Sequence, residues 1–249
     1  MFNKKTNKKF MKKLFLFLAV IGLVVLSAEY VFAQDAVAGG TPIHQELKIK
    51  FIEGGAGFMA TILLCLILGL AIAIERIIYL NLASTNTKKL LSRVEFALQQ
   101  GGVEAAKEVC RSTKGPVASI FYQGLTRMNE GIEVVEKSIV SYGGVQMSQL
   151  ESGLSWIQLF ISVAPMLGFL GTVLGMIKAF DDIEVAGDIS PSIVAGGMKV
   201  ALITTVGGLI VGIILQLFYN YLVSKIDSLV IDMEDASISL IDILAKSKK

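Results

Sequence analysis

Thr172 stands on a face of small side chains inside a long apolar segment, residues 164–180. If this segment is helical, the face repeats at steps of four, three and four residues and comprises Gly168, Thr172, Gly175 and Ala179. Pro165 and Gly171 add to a composition that a helix facing only lipid does not need. Small side chains allow helices to pack closely, and a hydroxyl on the same face offers hydrogen bonds to water or to a partner's polar group.

A second threonine repeats this arrangement in the apolar segment 192–223. The steps here are four, four, three and four residues, and the face comprises Gly197, Ala201, Thr205, Gly208 and Gly212. Two interpretations stay open for both threonines. Each hydroxyl can bond to the carbonyl one turn back and serve only helix packing, or it can line an ion pathway through a bilayer.

The composition indicates that these segments belong to a membrane protein. Hydrophobic residues make up 53% of the 249 residues, and the mean hydropathy is +0.66. Three segments are long enough to cross about 30 Å of hydrocarbon at about 1.5 Å per residue: 58–80, 154–180 and 192–223. Because an open sheet cannot satisfy its backbone in lipid, we predict an all-α integral membrane protein with three transmembrane helices.

The amino-terminal residues have the layout of a secretory signal. Six lysines precede an apolar run, residues 14–26, and Val31-Phe32-Ala33 offers a cleavage site before Gln34. We predict a signal peptide over residues 1–33 and a periplasmic segment over 34–57. The alternative is an uncleaved fourth membrane helix, since residues 14–33 are almost long enough to cross. In both cases Gln34 lies outside the cytoplasm.

The distribution of cations predicts the orientation. Lys88, Lys89 and Arg93 follow the first span, whereas residues 181–191 contain four acidic residues and no Lys or Arg. Because Lys and Arg mark the cytoplasmic side, the cytoplasmic parts are predicted to be a helical domain, residues 81–153, and a tail, residues 224–249. Residues 181–191 then form a periplasmic loop. The mature amino terminus is periplasmic and the carboxyl terminus is cytoplasmic.

The cytoplasmic domain shows amphipathic helical periodicity. A first helix is expected to stop at Gly101-Gly102. The last helix of this domain is expected to start at Ile132 and to continue without a break through Gln149 into the second span. This would give the protein long cytoplasmic helical extensions.

Catalytic and metal chemistry find no support in the sequence. Cys65 and Cys110 fall in different environments and cannot form a disulfide, and His44 lies in the external linker without a second metal ligand nearby. Phosphate-loop and nucleophile-elbow motifs are absent from the sequence. We therefore predict that the chain is not an enzyme and that it uses no cofactor, no metal and no nucleic acid.

The spans also lack a central carboxylate. Lys178 and Lys199 lie near the outer ends of the second and third spans, away from the threonine faces, and are expected to extend outward to the interface. A proton pathway that uses this chain therefore needs its titrating group from another polypeptide.

Two motifs carry a family resemblance. The run APMLGFLGTVLGMIKAF, residues 164–180, followed by GMKVALITTVGGLIVGIILQLFYN, residues 197–220, resembles the paired core helices of the ExbB/TolQ/MotA proton-channel family, closest to ExbB. The likeness extends over about residues 58–225. Val200 stands where many relatives have a glutamate, and Ile214 where they often have a proline, so no role of that glutamate or proline is carried over.

The resemblance implies a pentameric ring of this chain in a bacterial inner membrane. The ring would enclose an ExbD- or TolR-like partner with a single span and an intramembrane Asp. Proton motive force would then be converted into work on a TonB-like protein for outer-membrane transport, with Thr172 and Thr205 along the ion path. A TolQ-like envelope role stays open, as does a non-conducting helical scaffold. The signal peptide and moderate length disfavour a MotA-like flagellar stator.

Overall fold

The computed structural model describes residues 43–247, and every regular element in this part of the chain is helical. The helices are α1 (Ile43–Glu53), α2 (Ala56–Ala83), α3 (Thr87–Ser112), α4 (Pro116–Thr126), α5 (Ile132–Glu151), α6 (Leu154–Ala186) and α7 (Pro191–Ser247), with a short 3-10 turn at Met128–Glu130. The predicted signal peptide lies outside the described residues.

Three helical stretches each contain a segment long and apolar enough to cross a membrane: Ala56–Ser112, which includes α2, Ile132–Ala186, which includes α6, and Pro191–Lys246, which lies in α7. The prediction of an all-α protein with three membrane-crossing helices is confirmed.

The described residues form two compact units. The first contains residues 43–62 and 167–208, and the second contains residues 63–166 and 209–247. The first unit therefore holds α1, the start of α2 and the glycine-rich halves of α6 and α7. Both threonines that the sequence singles out belong to the first unit.

The second unit has an extended apolar core. Phe121, Leu125 and Ile139 are almost completely buried in it. The carboxyl-terminal half of α7 contributes a row of buried apolar side chains at steps of three and four residues: Leu222, Ile226, Leu229, Met233, Ala236, Leu240 and Leu244. This spacing places them on one face of α7 and explains why that helix continues through residues 224–247.

Helix α3 is a hairpin of two arms, as the glycine pair predicts. Gly102 has φ +69° and ψ −162°, a backbone conformation that residues with side chains rarely adopt, and this separates the two arms. Asn86 caps the first arm, because its side-chain oxygen accepts a hydrogen bond from the backbone N–H of Lys89 at 3.1 Å. The first arm of α3 therefore ends at the glycine pair, and the second arm follows it directly without a loop.

Both native cysteines are free thiols buried in the second unit. Cys110 lies on the second arm of α3, and its burial raises the pKa of the thiol to about 12. The thiolate form of Cys110 is therefore scarce at neutral pH.

Several helix boundaries differ from the expectations. The prediction of a continuous helix from Ile132 into the second span is wrong, because α5 ends at Glu151 and Gly153 adopts φ +85° before α6 begins. Helix α6 continues through the first half of the expected loop and ends at Ala186, where Gly187 has φ +69°. His44, expected in a linker, lies in α1.

Candidate ion pathway along a glycine-threonine seam

The glycine-rich halves of α6 and α7 pack against each other within the first unit. Contacts join Gly168 to Thr205, Gly175 to Ala201 and Gly197 to Ala179, so the two helices run antiparallel. We call this contact the glycine-threonine seam, and it comprises Gly168, Gly171, Gly175 and Ala179 of α6 with Gly197, Ala201, Thr204 and Thr205 of α7.

The seam is too tight for larger side chains. A β-carbon built on Gly175 would lie 3.0 Å from the β-carbon of Ala201, and one built on Gly168 would lie 3.2 Å from the α-carbon of Thr205. A β-carbon on Gly197 would collide with that of Ala179. Glycine at these positions therefore lets the two backbones approach closely, as small residues do in membrane helices.

Thr205 forms the interhelical hydrogen bond of the seam. Its hydroxyl lies 3.2 Å from the carbonyl oxygen of Gly168 and 3.4 Å from that of Ala201, one turn back on its own helix. The side chain is partly buried. The hydroxyl has its proton directed to a carbonyl, and its lone pairs stay available to accept a hydrogen bond.

Thr172 does not join the seam by a hydrogen bond. Its hydroxyl donates to the carbonyl oxygen of Phe169 at 2.6 Å, within α6, and the side chain is partly exposed. It lies one turn beyond Gly168, the residue whose carbonyl accepts from Thr205. Thr172 therefore flanks the seam and presents an acceptor oxygen beside it.

Thr204 is a seam residue that the sequence pattern missed. It is 1% exposed, and its hydroxyl donates to the carbonyl of Ala201 at 2.7 Å. It packs directly against Gly171, whose built β-carbon would lie 2.6 Å from the β-carbon of Thr204. Helical spacing from Ala201 allows a step of three to Thr204 as well as a step of four to Thr205, and this was the available signal.

The other predicted face residues divide between the units. Gly208 is buried at the end of the first unit. Pro165 and Gly212 fall in the second unit, where a β-carbon on Gly212 would lie 2.9 Å from Cγ of Pro165. The structure thus brings Pro165 and Gly212 into contact with each other.

A charged cluster lies in the same unit as the seam. The ammonium of Lys199 donates to Oε1 of Glu53 at 2.7 Å, and Lys50 lies 3.5 Å from Oε2 of the same carboxylate. The hydrogen bond from Lys199 holds the pKa of Glu53 below its usual value against a smaller opposing effect of burial. The expectation that Lys199 simply extends outward was therefore incomplete, whereas Lys178 is exposed.

The polar groups of the described seam are hydroxyls and backbone carbonyls. These groups donate and accept hydrogen bonds without changing their charge at neutral pH. The described seam can therefore donate and accept hydrogen bonds, but none of its residues takes up or releases a proton near neutral pH.

Three apolar helices long enough to cross a bilayer and a close-packed glycine seam define a multi-pass membrane protein. Residues 112–235 match the profile of the MotA/TolQ/ExbB proton channel family. The chain belongs to this family.

Curated relatives carry the ExbB name. The chain is 36% identical over 163 residues to a putative biopolymer transport protein ExbB homolog of Methanothermobacter thermautotrophicus. The alignment covers 65% of this chain and 57% of that protein. It is 28% identical over 174 residues to biopolymer transport protein exbB1 of Vibrio cholerae, covering 67% and 75% respectively. The match thus spans less than two thirds of the archaeal relative.

A solved structure of C. jejuni MotAB is also similar, with a TM-score of 0.49 and 18% sequence identity over 92% of this chain and 94% of that one.

Proposed function

We propose that this chain is the channel-forming subunit of an inner-membrane complex that converts proton motive force into mechanical work. The observation that carries the proposal is the glycine-threonine seam, in which Thr205 bridges two antiparallel helices and Thr172 presents an oxygen beside it. Membership of a proton channel family supports the same function.

The proton carrier in this proposal is an Asp on the single membrane helix of an ExbD- or TolR-like partner. A carboxylate in a low-dielectric interface has a raised pKa, so it takes up a proton from the outer side and releases it inward when its surroundings change. The protonated acid donates a hydrogen bond. The oxygens of Thr172 and Thr205 accept it, because the hydroxyl protons are already directed to backbone carbonyls.

The driving force is electrical as well as chemical. One elementary charge that crosses about 100 mV releases about 2.3 kcal/mol, which is several times the thermal energy. Moving the partner helix requires a wall with few protruding side chains, and glycine-rich helices supply one. In the proposed assembly a pentamer of this chain surrounds the partner helices and acts on a TonB-like protein for outer-membrane transport.

The orientation in this proposal follows the distribution of charge. Residues 81–153 lie in the cytoplasm, where the basic Lys88, Lys89 and Arg93 are favoured. Residues 181–191, four of which are acidic, lie on the periplasmic side together with helix α1, and the carboxyl terminus is cytoplasmic.

The test is proton flux into proteoliposomes that contain this chain and a partner with an intramembrane Asp. We expect Thr205→Val to lower the flux about fivefold, which corresponds to one lost hydrogen bond of about 1 kcal/mol. Thr205→Ser keeps the hydroxyl and should retain most of the flux. Thr61→Val is the matched control for Thr172→Val, because Thr61 also donates to a carbonyl three residues back, at 2.7 Å, on α2.

The outcomes separate a channel from a scaffold. Equal flux in Thr172→Val, Thr205→Val and Thr61→Val would remove the assigned role of the two threonines. A complex that assembles but conducts no protons in any form would identify the chain as a helical scaffold.

A further inference from the structure

The α3 hairpin forms a basic groove beside the end of the first membrane helix. From its geometry we infer that this groove binds the headgroup of an anionic glycerophospholipid of the cytoplasmic leaflet. The inference rests on the proposed orientation of the chain, and it goes beyond the channel function because no seam residue takes part.

The two ends of the hairpin meet at one elbow. Thr85 follows the last residue of α2 by two positions, and its hydroxyl donates to the backbone carbonyl of Lys114 at 2.6 Å. Gly115, with φ +121°, packs so closely on Thr85 that a β-carbon there would collide with its hydroxyl. The start of the first arm and the end of the second are therefore both held at the carboxyl-terminal end of α2.

This elbow lies at the membrane boundary. Ile78 and Leu82, in the last two turns of α2, are 56% and 74% exposed, so apolar surface continues almost to the end of that helix. Exposed apolar side chains on a membrane helix are stable in lipid and costly in water. Because Leu82 precedes Thr85 by only three residues, the elbow lies next to the headgroup layer.

A groove of about 630 Å³ lies between the two arms and includes this end of the hairpin. Lys89, Ser92 and Arg93 line it from the first arm, and Ser112 lines it from the last turn of the second. Lys89 and Arg93 are exposed. Neither cation forms an ion pair with any of the described residues.

The lining chemistry suits a phosphodiester. Arg93 offers a planar fork of N–H donors and Lys89 a compact positive charge, and both recognise phosphate oxygens. The hydroxyls of Ser92 and Ser112 donate to carbonyls of their own helices at 3.1 and 3.0 Å, which leaves their oxygens free to accept from a glycerol hydroxyl. An anionic leaflet supplies such groups at high local concentration.

The experiment measures binding of phosphatidylglycerol to the purified full-length chain in detergent by native mass spectrometry. We expect Lys89→Gln/Arg93→Gln to weaken binding about thirtyfold. Each basic residue near an anionic lipid surface raises the affinity about five- to sixfold, and the double variant loses both contributions. The matched control is Lys88→Gln/Arg111→Gln, which removes the same charge from the same hairpin at exposed positions outside the groove. That control should change binding less than about threefold.

A further variant and two further measurements identify the ligand and check that the fold is intact. Arg93→Lys keeps the charge but loses the fork, and should bind with intermediate affinity. Circular dichroism should show unchanged helix content, since all substituted side chains are exposed. An equal loss in both double variants, or in neither, would overturn the groove as the site. Displacement of the lipid by millimolar inorganic phosphate would instead identify a soluble-phosphate site.

The binding readout does not involve ion flux. Failure of the lipid inference therefore leaves the proposed channel function intact, and a chain that conducts no protons can still show the groove-specific loss of lipid.

Discussion

Lys199 of α7 and Glu53 of α1 form an ion pair of 2.7 Å. The two residues are far apart in the sequence, and the pair links the short helix α1, which precedes α2, to the amino-terminal part of α7. Lys199 is two residues from Gly197 of the glycine-threonine seam. The pair therefore fixes α1 to the helix that carries the threonines.

The first prediction concerns this pair. Glu53→Gln should loosen α1 by about 0.5 kcal/mol, the usual size of a partly exposed ion pair, and raise amide hydrogen exchange in residues 43–53. Lys199→Met should have a similar effect, and the double variant should add little to either. Lys178→Met is the control, because Lys178 is an exposed cation of the same unit for which no ion pair is found among the described residues.

The pH dependence of the same pair has a definite sign. Lys199 lowers the pKa of Glu53 in the folded chain, so the stabilisation is complete above the ordinary carboxylate pKa of about 4.3. It is lost as the pH falls through the lowered folded value. Once the exchange rates are divided by the intrinsic rate at each pH, the protection of residues 43–53 should thus decrease below about pH 4 in the parent and change less in Glu53→Gln. Identical profiles would contradict the assignment.

The second prediction concerns the packing of the seam. Gly197→Ala should destabilise the chain by about 1–3 kcal/mol, because the new methyl group collides with Ala179. Adding Ala179→Gly should restore part of this loss. Gly196→Ala is the matched control, since a β-carbon at Gly196 meets no atom within 4 Å. Thermal unfolding in detergent measures all three, and equal melting temperatures for Gly197→Ala and Gly196→Ala would argue against close packing.

The third prediction concerns the bend in α3. Gly102→Ala should cost about 1–3 kcal/mol, because its φ of +69° with ψ of −162° is accessible essentially to glycine alone. Gly143→Ala in α5 should be neutral or stabilising, since a β-carbon there meets no atom within 4 Å and the helix favours alanine. Thermal unfolding of the two variants tests the contrast. A larger loss in Gly143→Ala would contradict it.

The fourth prediction concerns the described part, 224–247, of the tail that the sequence predicts over residues 224–249. Leu240→Ala should destabilise the second unit by about 2–5 kcal/mol, because Leu240 is completely buried in its core. Ile238→Ala, at a position 62% exposed on the same helix, should change stability by less than about 0.5 kcal/mol. Urea unfolding followed by circular dichroism separates the two. Similar midpoints would mean that α7 does not pack as described.

Local features of the fold were predictable from the sequence. The three apolar helices follow from length and hydropathy, and the bend at Gly102 follows from a glycine pair that ends an amphipathic run. The break at Gly153 was missed, because the helical periodicity continues on both sides and only the backbone conformation of the glycine interrupts it. The helical tail was missed because acidic residues separate the buried apolar positions of α7.

The site was predictable only in part. Small residues at helical spacing identified which faces meet, but spacing alone could not decide between Thr204 and Thr205, because a helix has 3.6 residues per turn and both lie near the same face. The ion-pair partner of Lys199 could not be predicted from the sequence, for a different reason. Glu53 is distant in the chain, and nothing local in either sequence segment indicates that the two meet.

The burial of Cys65 and Cys110 has a practical consequence for studying motion in this protein. These are the two cysteines of the chain, and neither thiol is open to solvent in the folded state. Cys110, with its pKa raised to about 12, should resist maleimides at neutral pH. A probe cysteine placed at an exposed position can therefore be tagged with a fluorophore or spin label in the otherwise native sequence.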